Sequence, residues 1–290
     1  MKVSGFTFVK NALKFDYPIV EAIESILPIC DEVIVAVGKS EDETLNLINS
    51  INSNKIKVIE TEWDESLREG GQVLAEETNK AFQAISKDSD WAFYIQGDEV
   101  IHEDYLAIVL SSMNKYLDNE KVDGLLFNYN HFYGSYDYVC TAESWYAYEV
   151  RVIRPNSSFY SYKDAQGFRK GNNEKLKVKL IDAYIYHYGW VKPPRTMQKK
   201  QEEFNKLWHD DEWVDKNVVK GDEFKYLEGA HNLKRFNQTH PKVMKARIDM
   251  VNWKFDVDIS RNKRTLKHIL KEFFKNYLGL DFYYNNYTKI

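Results

Sequence analysis

The chain has 290 residues, of which 43% are hydrophobic and 15% aromatic, with 40 Lys and Arg against 44 Asp and Glu. Such a chain can bury a full core, and its length indicates one large domain or one domain with an appendage. A pI of about 6.0 and the absence of a recognisable nucleic-acid-binding module argue against nucleic-acid binding.

The first hundred residues alternate between strand and helix patterns. Apolar runs predict strands, and apolar residues at helical spacing predict helices between them. The predicted strands are Val3–Val9, Glu32–Val37, Ile56–Glu60 and Trp91–Ile95, and the predicted helices are Tyr17–Leu27, Thr44–Ile51 and Gln72–Ile85. This order predicts right-handed βαβ units around a mostly parallel sheet, with a binding site beyond the carboxyl ends of the strands.

The pattern changes in the rest of the chain. Strands are predicted at Val122–Tyr129, Val150–Ile153 and Lys177–Tyr188, separated by aromatic loops that include 129–134 and 159–168. From Pro193 onward the pattern is mainly helical and highly charged, and no repeat or Gly/Ser-rich linker separates it from the first part. We therefore predict one domain over residues 1–190 and a mainly helical region over 191–290 that packs on it.

Polar residues that suit metal and nucleotide chemistry follow the predicted strands. Asp98 lies in an acidic turn, Gln96-Gly97-Asp98-Glu99, directly after the fourth strand. A carboxylate at a strand end can hold a hard divalent cation, because Mg²⁺ and Mn²⁺ favour oxygen ligands, although such acids are more often solvated turns. His187, at the end of a later strand, offers an imidazole ligand or serves as an ordinary core residue.

The polar turn that follows the second strand, over residues 38–44, can present backbone amides to a nucleotide or simply cap a helix. The cysteines, Cys30 and Cys140, have no paired spacing and predict reduced thiols.

Taken in order, these segments resemble the family 2 glycosyltransferases, which have the GT-A fold. Residues 32–44 resemble the family's second strand with its D-G-S-x-D-x-T turn, and residues 70–79 resemble its G-x-x-x-x-x-N helix. Residues 94–100 stand where the family has its D-x-D motif, with Gln96 in place of the first Asp, and Ala36 and Val37 replace the usual acids before the second turn. The resemblance covers about residues 1–190 and implies an α/β fold of GT-A type with a Rossmann-like sheet.

The resemblance implies an inverting transfer from a nucleoside-diphosphate sugar to a glycan or a lipid-linked acceptor, in the synthesis of cell-surface polysaccharide or lipopolysaccharide. A divalent cation, Mn²⁺ or Mg²⁺, would be held by Asp98 and His187, and Asp164 would take the proton of the acceptor hydroxyl, with Glu143 and Glu149 as reserves. The nucleotide-sugar would contact residues near the first strand ends and the acidic turn: Phe8, Val9, Lys10, Asn11, Gly38, Lys39, Asp42, Gly71, Gln72, Gln96 and Gly97.

Two other classes stay open. A nucleotidyltransferase would share the sheet and the metal-binding carboxylate, but it should have a Gly-rich basic loop after the first strand, where residues 9–12 contain one lysine and no glycine. A non-catalytic carbohydrate-binding or scaffold protein is favoured if Gln96 marks a decayed metal site. Whether the chain forms a homo-oligomer is left open.

The chain ends are also informative about location. The N-terminus lacks the features of a secretory signal, and no apolar run approaches the ~20 residues that span a bilayer, so we expect a cytoplasmic protein.

The charge is distributed unevenly along the chain. Residues 1–190 hold 19 basic and 30 acidic residues (net −11), whereas residues 191–290 hold 21 basic and 14 acidic residues (net +7). An apolar stripe over residues 266–278 beside a lysine face predicts a helix that packs on the protein or a second subunit, or that contacts the inner face of an anionic membrane through residues 265–290.

Overall fold

The computed structural model describes residues 1–142, 145–259 and 285–290. Two predictions lie outside the described residues: the reserve base Glu143 and the apolar helical stripe of residues 266–278.

The described residues form fourteen strands and seven α-helices. The strands are β1 (Val3–Val9), β2 (Glu32–Gly38), β3 (Ile56–Thr61), β4 (Trp91–Tyr94), β5 (Glu99–Ile101), β6 (Gly124–Tyr133), β7 (Ser135–Cys140), β8 (Tyr148–Ile153), β9 (Phe159–Tyr162), β10 (Gly167–Lys170), β11 (Glu174–Lys175), β12 (Lys177–Trp190), β13 (Leu233–Arg235) and β14 (Thr288–Lys289). The helices are α1 (Ile19–Ile26), α2 (Thr44–Asn49), α3 (Gln72–Gln83), α4 (Leu106–Tyr116), α5 (Pro194–Phe204), α6 (Asp211–Asn217) and α7 (Lys245–Asp249).

The first four strands form the parallel half of the main sheet, in the order β3-β2-β1-β4. Every residue of β2 and β4 is buried, because helices cover both faces of the sheet. Helices α1 and α4 pack in the core cluster on one face, with Ile23 and Met113, and α3 packs in the cluster on the other, with Phe82 against Phe6. The predicted fold class, an α/β structure with helices flanking a Rossmann-like central sheet, is confirmed by this arrangement.

The second half of the sheet is mixed. Strand β8 pairs antiparallel with both β4 and β6, and the long strand β12 runs parallel to β6 while pairing antiparallel with β5. Strands β9, β10 and β11 form a separate three-stranded sheet. The aromatic segments at 129–133 and 159–162 are therefore strands rather than loops, and α4 is a helix that the sequence pattern did not indicate.

The part of the chain after β12 joins the same body. The described residues 191–259 contain α5, α6, α7 and β13, which pairs with β7, and β14 pairs with the start of β12. The division into domains of 1–190 and 191–290 stays a prediction. Among the described residues, no helix combines the length and the apolar character needed to cross a membrane.

A buried ion pair links the acidic turn to the middle of the sheet. Arg151 on β8 donates from Nε and Nη2 to the two carboxylate oxygens of Glu99, at 2.8 and 2.7 Å, and both side chains are fully buried. The hydroxyl of Tyr129 donates to the same carboxylate at 2.8 Å, and the backbone N–H of Gln96 donates to it at 3.1 Å. The turn that contains Asp98 is thereby fixed at both of its ends.

We expect Arg151→Met to destabilise the protein by about 3–5 kcal/mol, because it leaves the Glu99 carboxylate buried without its partner. The double variant Arg151→Met/Glu99→Gln should recover part of this loss, since it carries no buried unpaired charge. Urea unfolding of the wild type, both single variants and the double variant measures the coupling. Simple addition of the two single losses would show that the pair does not act as a unit.

Candidate functional site

A cleft of about 740 Å³ opens at the carboxyl ends of β1 and β4. It is where open α/β sheets form ligand sites. Nine of the residues predicted for the site line it: Phe8, Val9, Lys10, Asn11, Gln96, Gly97, Asp98, Asp164 and His187. The structure thus brings together both predicted metal ligands, the predicted base and the residues that follow β1.

Hydrogen bonds join the turn after β1 to the turn after β2. Asn11 has a left-handed backbone, with φ of 55°, and its side-chain oxygen accepts from the amide of Glu41 at 2.8 Å. Its own amide donates to Ser40 Oγ at 3.0 Å, and the Asp42 carboxylate accepts from the amide of Lys14 at 2.7 Å. The polar residues of the 38–44 turn are therefore used to build this wall of the cleft.

Five residues predicted to contact the nucleotide do not line the cleft: Gly38, Lys39, Asp42, Gly71 and Gln72. Lys39 and Gln72 are exposed, and Asp42 is engaged in the turn just described. Gly38 leaves room for the indole of Trp63, and a Cβ on Gly71 would lie 2.7 Å from Asp164 Cβ and 2.9 Å from the Trp208 ring. The two glycines thus shape the cleft through their neighbours.

Asp98 and His187 meet because β5 pairs with β12. Glu99 lies opposite His187 in that ladder, and the Asp98 carbonyl accepts from the amide of Tyr188 at 2.8 Å. The nearest side-chain atoms, Asp98 Oδ2 and His187 Nε2, are 3.8 Å apart. A Cβ on Gly189 would lie 2.7 Å from each of these two atoms. The missing side chain therefore leaves a small space that both atoms face.

Hydrogen bonds determine which nitrogen of His187 carries the proton. His131 Nε2 lies 2.7 Å from the carbonyl oxygen of Tyr146, which can only accept, so this nitrogen is protonated. Burial lowers the pKa of both histidines and keeps them neutral. His131 Nδ1 is then an acceptor, and His187 Nδ1, 3.0 Å away, must donate to it. His187 Nε2, which borders the space beside Gly189, is left with a lone pair, as a metal ligand requires.

Asp98 is surrounded by positive charge. Burial acts to raise its pKa, but the positive charges of Lys200 and Lys192 act in the opposite direction, and the pKa of Asp98 lies below its usual value. Lys200 Nζ lies 3.6 Å from Asp98 Oδ2. Asp98 is therefore ionised at neutral pH, in the state that binds a cation.

Asp164 lies in the tight loop between β9 and β10. Its neighbours Lys163 and Ala165 both have left-handed backbones, with φ of 53° and 60°, an uncommon conformation for residues with a side chain. Its Oδ1 accepts from Gln166 Nε2 at 3.0 Å. Burial raises the pKa of Asp164, which suits a group that must take up a proton.

The reserve base Glu149 does not line the cleft. It is buried, and its Oε2 has no hydrogen-bond partner among the described residues, as is true of both side-chain polar atoms of Asn286. A Cβ on Gly167 would meet both Glu149 Oε2 and Asn286 Nδ2. Burial, first of all, and the nearby Glu99 raise the pKa of Glu149 to about 8, so it is protonated at neutral pH. This geometry argues against a role as the base.

Several cleft residues were missed by the sequence analysis. The apolar wall is formed by aromatic residues of two distant segments: Trp63 follows β3, Phe204 ends α5, and Trp208 lies shortly after α5. The Trp63 indole nitrogen is buried without a partner among the described residues. Lys200 interrupts an apolar series at helical spacing, formed by Met197 and Phe204 on α5 and by Leu207 just after it. This break in the apolar pattern is the sequence signal that could have identified Lys200.

One further group could hold a metal ion among the described residues. His102, Glu103 and Asp104 have ligand atoms within 4.8 Å of one another. His102 already accepts from the Asp104 amide and contacts Thr239, and none of the three lines the cleft. It is distinct from the predicted pair.

Comparison with known proteins gave matches only among solved structures. No family model matches the sequence, and no curated protein is significantly similar. Staphylococcus aureus TarS is 16% identical with a TM-score of 0.42, covering 70% of this chain and 39% of TarS, so the chain spans well under half of that protein. TarS 1-349 in complex with UDP is 15% identical, also with a TM-score of 0.42, covering 77% and 68%.

Two other kinds of protein are found by the same comparison. A 4-diphosphocytidyl-2C-methyl-D-erythritol synthase from Anaerococcus prevotii is 13% identical with a TM-score of 0.39, covering 66% of this chain and 89% of that one. Glucosyl-3-phosphoglycerate synthase from Mycobacterium tuberculosis, with Mn²⁺, UDP and phosphoglyceric acid, is 20% identical with a TM-score of 0.30, covering 45% and 43%. These similarities are too weak to assign an activity.

The protonation of Glu149 predicts a pH-dependent stability. Its pKa is about 8 in the folded protein and its unfolded value is about 4.3, so the folded state loses stability as pH rises from the lower value to the higher. The isosteric Glu149→Gln variant lacks this loss. Its advantage over the wild type in urea unfolding should grow by roughly 3 kcal/mol between pH 5.5 and 8.5. A difference independent of pH would mean that Glu149 is already ionised.

Proposed function

We propose that the protein is a glycosyltransferase that uses a nucleoside-diphosphate sugar as donor. The observation that carries this proposal is the pair of Asp98 and the Nε2 lone pair of His187, which face one space inside a large cleft at the ends of parallel strands. The family resemblance of residues 1–190 supports the same reading. The order β3-β2-β1-β4 also accords with the GT-A type that the resemblance implies.

The formal charge of the cleft does not by itself favour a diphosphate. Six acidic and five basic residues line it, so its formal net charge is −1 with histidine neutral: Glu41, Asp64, Glu65, Asp98, Asp164 and Glu203 against Lys10, Lys14, Arg68, Lys200 and Lys206. A diphosphate adds further negative charge. An anionic ligand therefore depends on a bound cation or on a few well-placed basic groups.

The residues present fit a divalent cation. Asp98 and His187 would hold it, with the space left by Gly189 between them. Two protein ligands leave positions for phosphate oxygens and water, which is how Mg²⁺ usually binds beside substrate phosphates. A cation bound there would act as a Lewis acid and stabilise charge on the leaving diphosphate. Gln96 does not offer the second carboxylate; its amide nitrogen donates to the Ala165 carbonyl at 3.1 Å and so ties the turn to the Asp164 loop.

Asp164 is the proposed base. It lines the same cleft as Asp98, and the carboxylate would accept the proton of the acceptor hydroxyl as that oxygen forms its bond to the anomeric carbon. The contact with Gly71 and the hydrogen bond from Gln166 would hold it in place. By resemblance, the acceptor is a glycan or a lipid-linked sugar. The same proposal includes manganese as the preferred ion, an inverting reaction, a role in cell-surface polysaccharide synthesis and a cytoplasmic location.

We expect Asp98→Ala and Gly189→Ala to remove the Mn²⁺-dependent part of nucleoside-diphosphate binding while leaving the fold intact. The first removes the carboxylate, and the second fills the space that it faces with His187. Calorimetric titration of UDP, GDP, CDP and dTDP with Mn²⁺ and with EDTA measures the effect. Asp104→Ala is the control, because it removes an exposed acid of the other candidate group; loss of Mn²⁺ dependence in that variant alone would move the metal site away from the cleft.

We expect Asp164→Asn to lower the turnover of donor hydrolysis or transfer by about 10²–10⁴-fold, with nucleotide affinity changed little, since a base acts mainly in the transition state. In the wild type, activity should decrease as pH falls through the raised pKa of Asp164, because only the carboxylate accepts a proton. The variant should lack this acid limb. Glu65→Gln, at an exposed acid of the same cleft, is the control, and near-normal turnover of Asp164→Asn would exclude Asp164 as the base.

A further inference from the structure

Lys200 brings a buried positive charge into the cleft from outside the segment that resembles the family. It lies on α5 after β12, and its side chain is 8% exposed although it lines the cleft. Its Nζ donates to the Gly189 carbonyl at 3.1 Å and lies 3.6 Å from Asp98 Oδ2. The ammonium is also about 5 Å from the ring centres of Tyr17 and Phe204, at 5.1 and 5.2 Å.

The surroundings of Lys200 leave capacity to bind an anion. An ammonium group has three hydrogens to donate, one of which is directed to the Gly189 carbonyl. The 3.6 Å separation from Asp98 is longer than a normal hydrogen bond. A phosphate oxygen that enters beside Asp98 would therefore reach a desolvated cation, where electrostatic attraction is stronger than at the surface.

Two of the other basic groups that line the cleft are matched by nearby carboxylates. Lys14 contacts both Glu41 and Glu203 at 2.8 Å, and Arg68 donates to Asp211 at 2.8 Å. Lys10 lies over the Trp63 ring and Lys206 is exposed. Lys200 is distinguished by its burial and by its position next to Gly189, at the space faced by Asp98 and His187.

We propose that Lys200 binds the diphosphate of the donor directly and stabilises the charge that develops on it during transfer. This inference rests on the proposed glycosyltransferase function. In that reaction the acceptor oxygen forms a bond to the anomeric carbon while the bond from that carbon to the diphosphate oxygen breaks. The acceptor proton passes to Asp164, and the electron pair leaves with the diphosphate. Lys200 keeps its proton and donates a hydrogen bond to the departing phosphate.

The same position makes Lys200 a competitor of a divalent cation for Asp98 when no diphosphate is bound. Its charge lies 3.6 Å from the carboxylate oxygen that would ligate the ion. A diphosphate would give the ammonium a second anionic partner and relieve this repulsion. Metal and nucleotide should therefore bind cooperatively, and removing the ammonium should change their separate affinities in opposite directions.

The test compares Lys200→Met with Lys199→Met, which removes an exposed lysine from the same helix. In EDTA, Lys200→Met should bind UDP, or whichever nucleoside diphosphate binds the wild type, about 10- to 100-fold more weakly, the range for a lost charge-assisted hydrogen bond. Without nucleotide, the same variant should bind Mn²⁺ more tightly than the wild type. Lys199→Met should change neither affinity.

A merely structural role would weaken both affinities together or lower the melting temperature, and this outcome would overturn the proposal. Unchanged nucleotide affinity in Lys200→Met would also overturn it while leaving the glycosyltransferase assignment in place. Should Lys200→Met fail to fold, Lys200→Gln provides the same two titrations. A wild-type protein that binds none of the four nucleoside diphosphates, with or without Mn²⁺, and hydrolyses no nucleotide sugar would refute the proposed function itself.

Discussion

The geometry of the cleft depends on the ion pair between Arg151 and Glu99. Asp98 stands immediately before Glu99. The Glu99 side chain is held by Arg151 on β8, and its backbone is held by the pairing of β5 with β12. A turn after a strand is normally free to move, because loops have few buried contacts. Here the buried carboxylate converts the turn into a fixed part of the sheet, so that Asp98 keeps its position relative to His187.

A second constraint acts on the histidine side of the pair. A chain of hydrogen bonds runs from the Tyr146 carbonyl through His131 to His187. It fixes the ring orientation and the tautomer of His187 without any bound ion. Outer-shell partners of this kind tune metal ligands in proteins generally. Strands β6 and β12 place His131 opposite His187 in parallel register. Backbone pairing, and not a chance contact of side chains, therefore orients the imidazole that we propose as a metal ligand.

The parts of this structure that sequence alone could predict are those with local signals. Strand β1 and the elements up to β4 are recognisable because buried parallel strands read as apolar runs and helices as periodic ones. The prediction ends strand β6 at Tyr129 because Asn130 and His131 interrupt its apolar pattern. In the structure, His131 is accommodated in the strand by its contact with the Tyr146 carbonyl. Such long-range compensation leaves no mark at the position itself.

The same reason explains which site residues were found. Asp98, His187 and Asp164 stand at strand ends or in a loop between strands, where the chain order of the family could locate them. Lys200 and Trp208 belong to a segment without a family guide, and only tertiary contact brings them to the cleft.

That contact also shows what the segment after β12 contributes. The Gly71 amide donates to the Leu207 carbonyl at 3.1 Å, and Arg68 donates to the Lys206 and His209 carbonyls. Residues 204–208 thus close the cleft against the 63–71 segment, while α5 places Lys200 beside Asp98 and Gly189. If the parallel half of the sheet supplies chemistry shared by many transferases, the wall after β12 is where this chain can select its own donor. Its aromatic residues would contact the parts of the ligand that differ between nucleotide sugars, since the diphosphate is common to all of them.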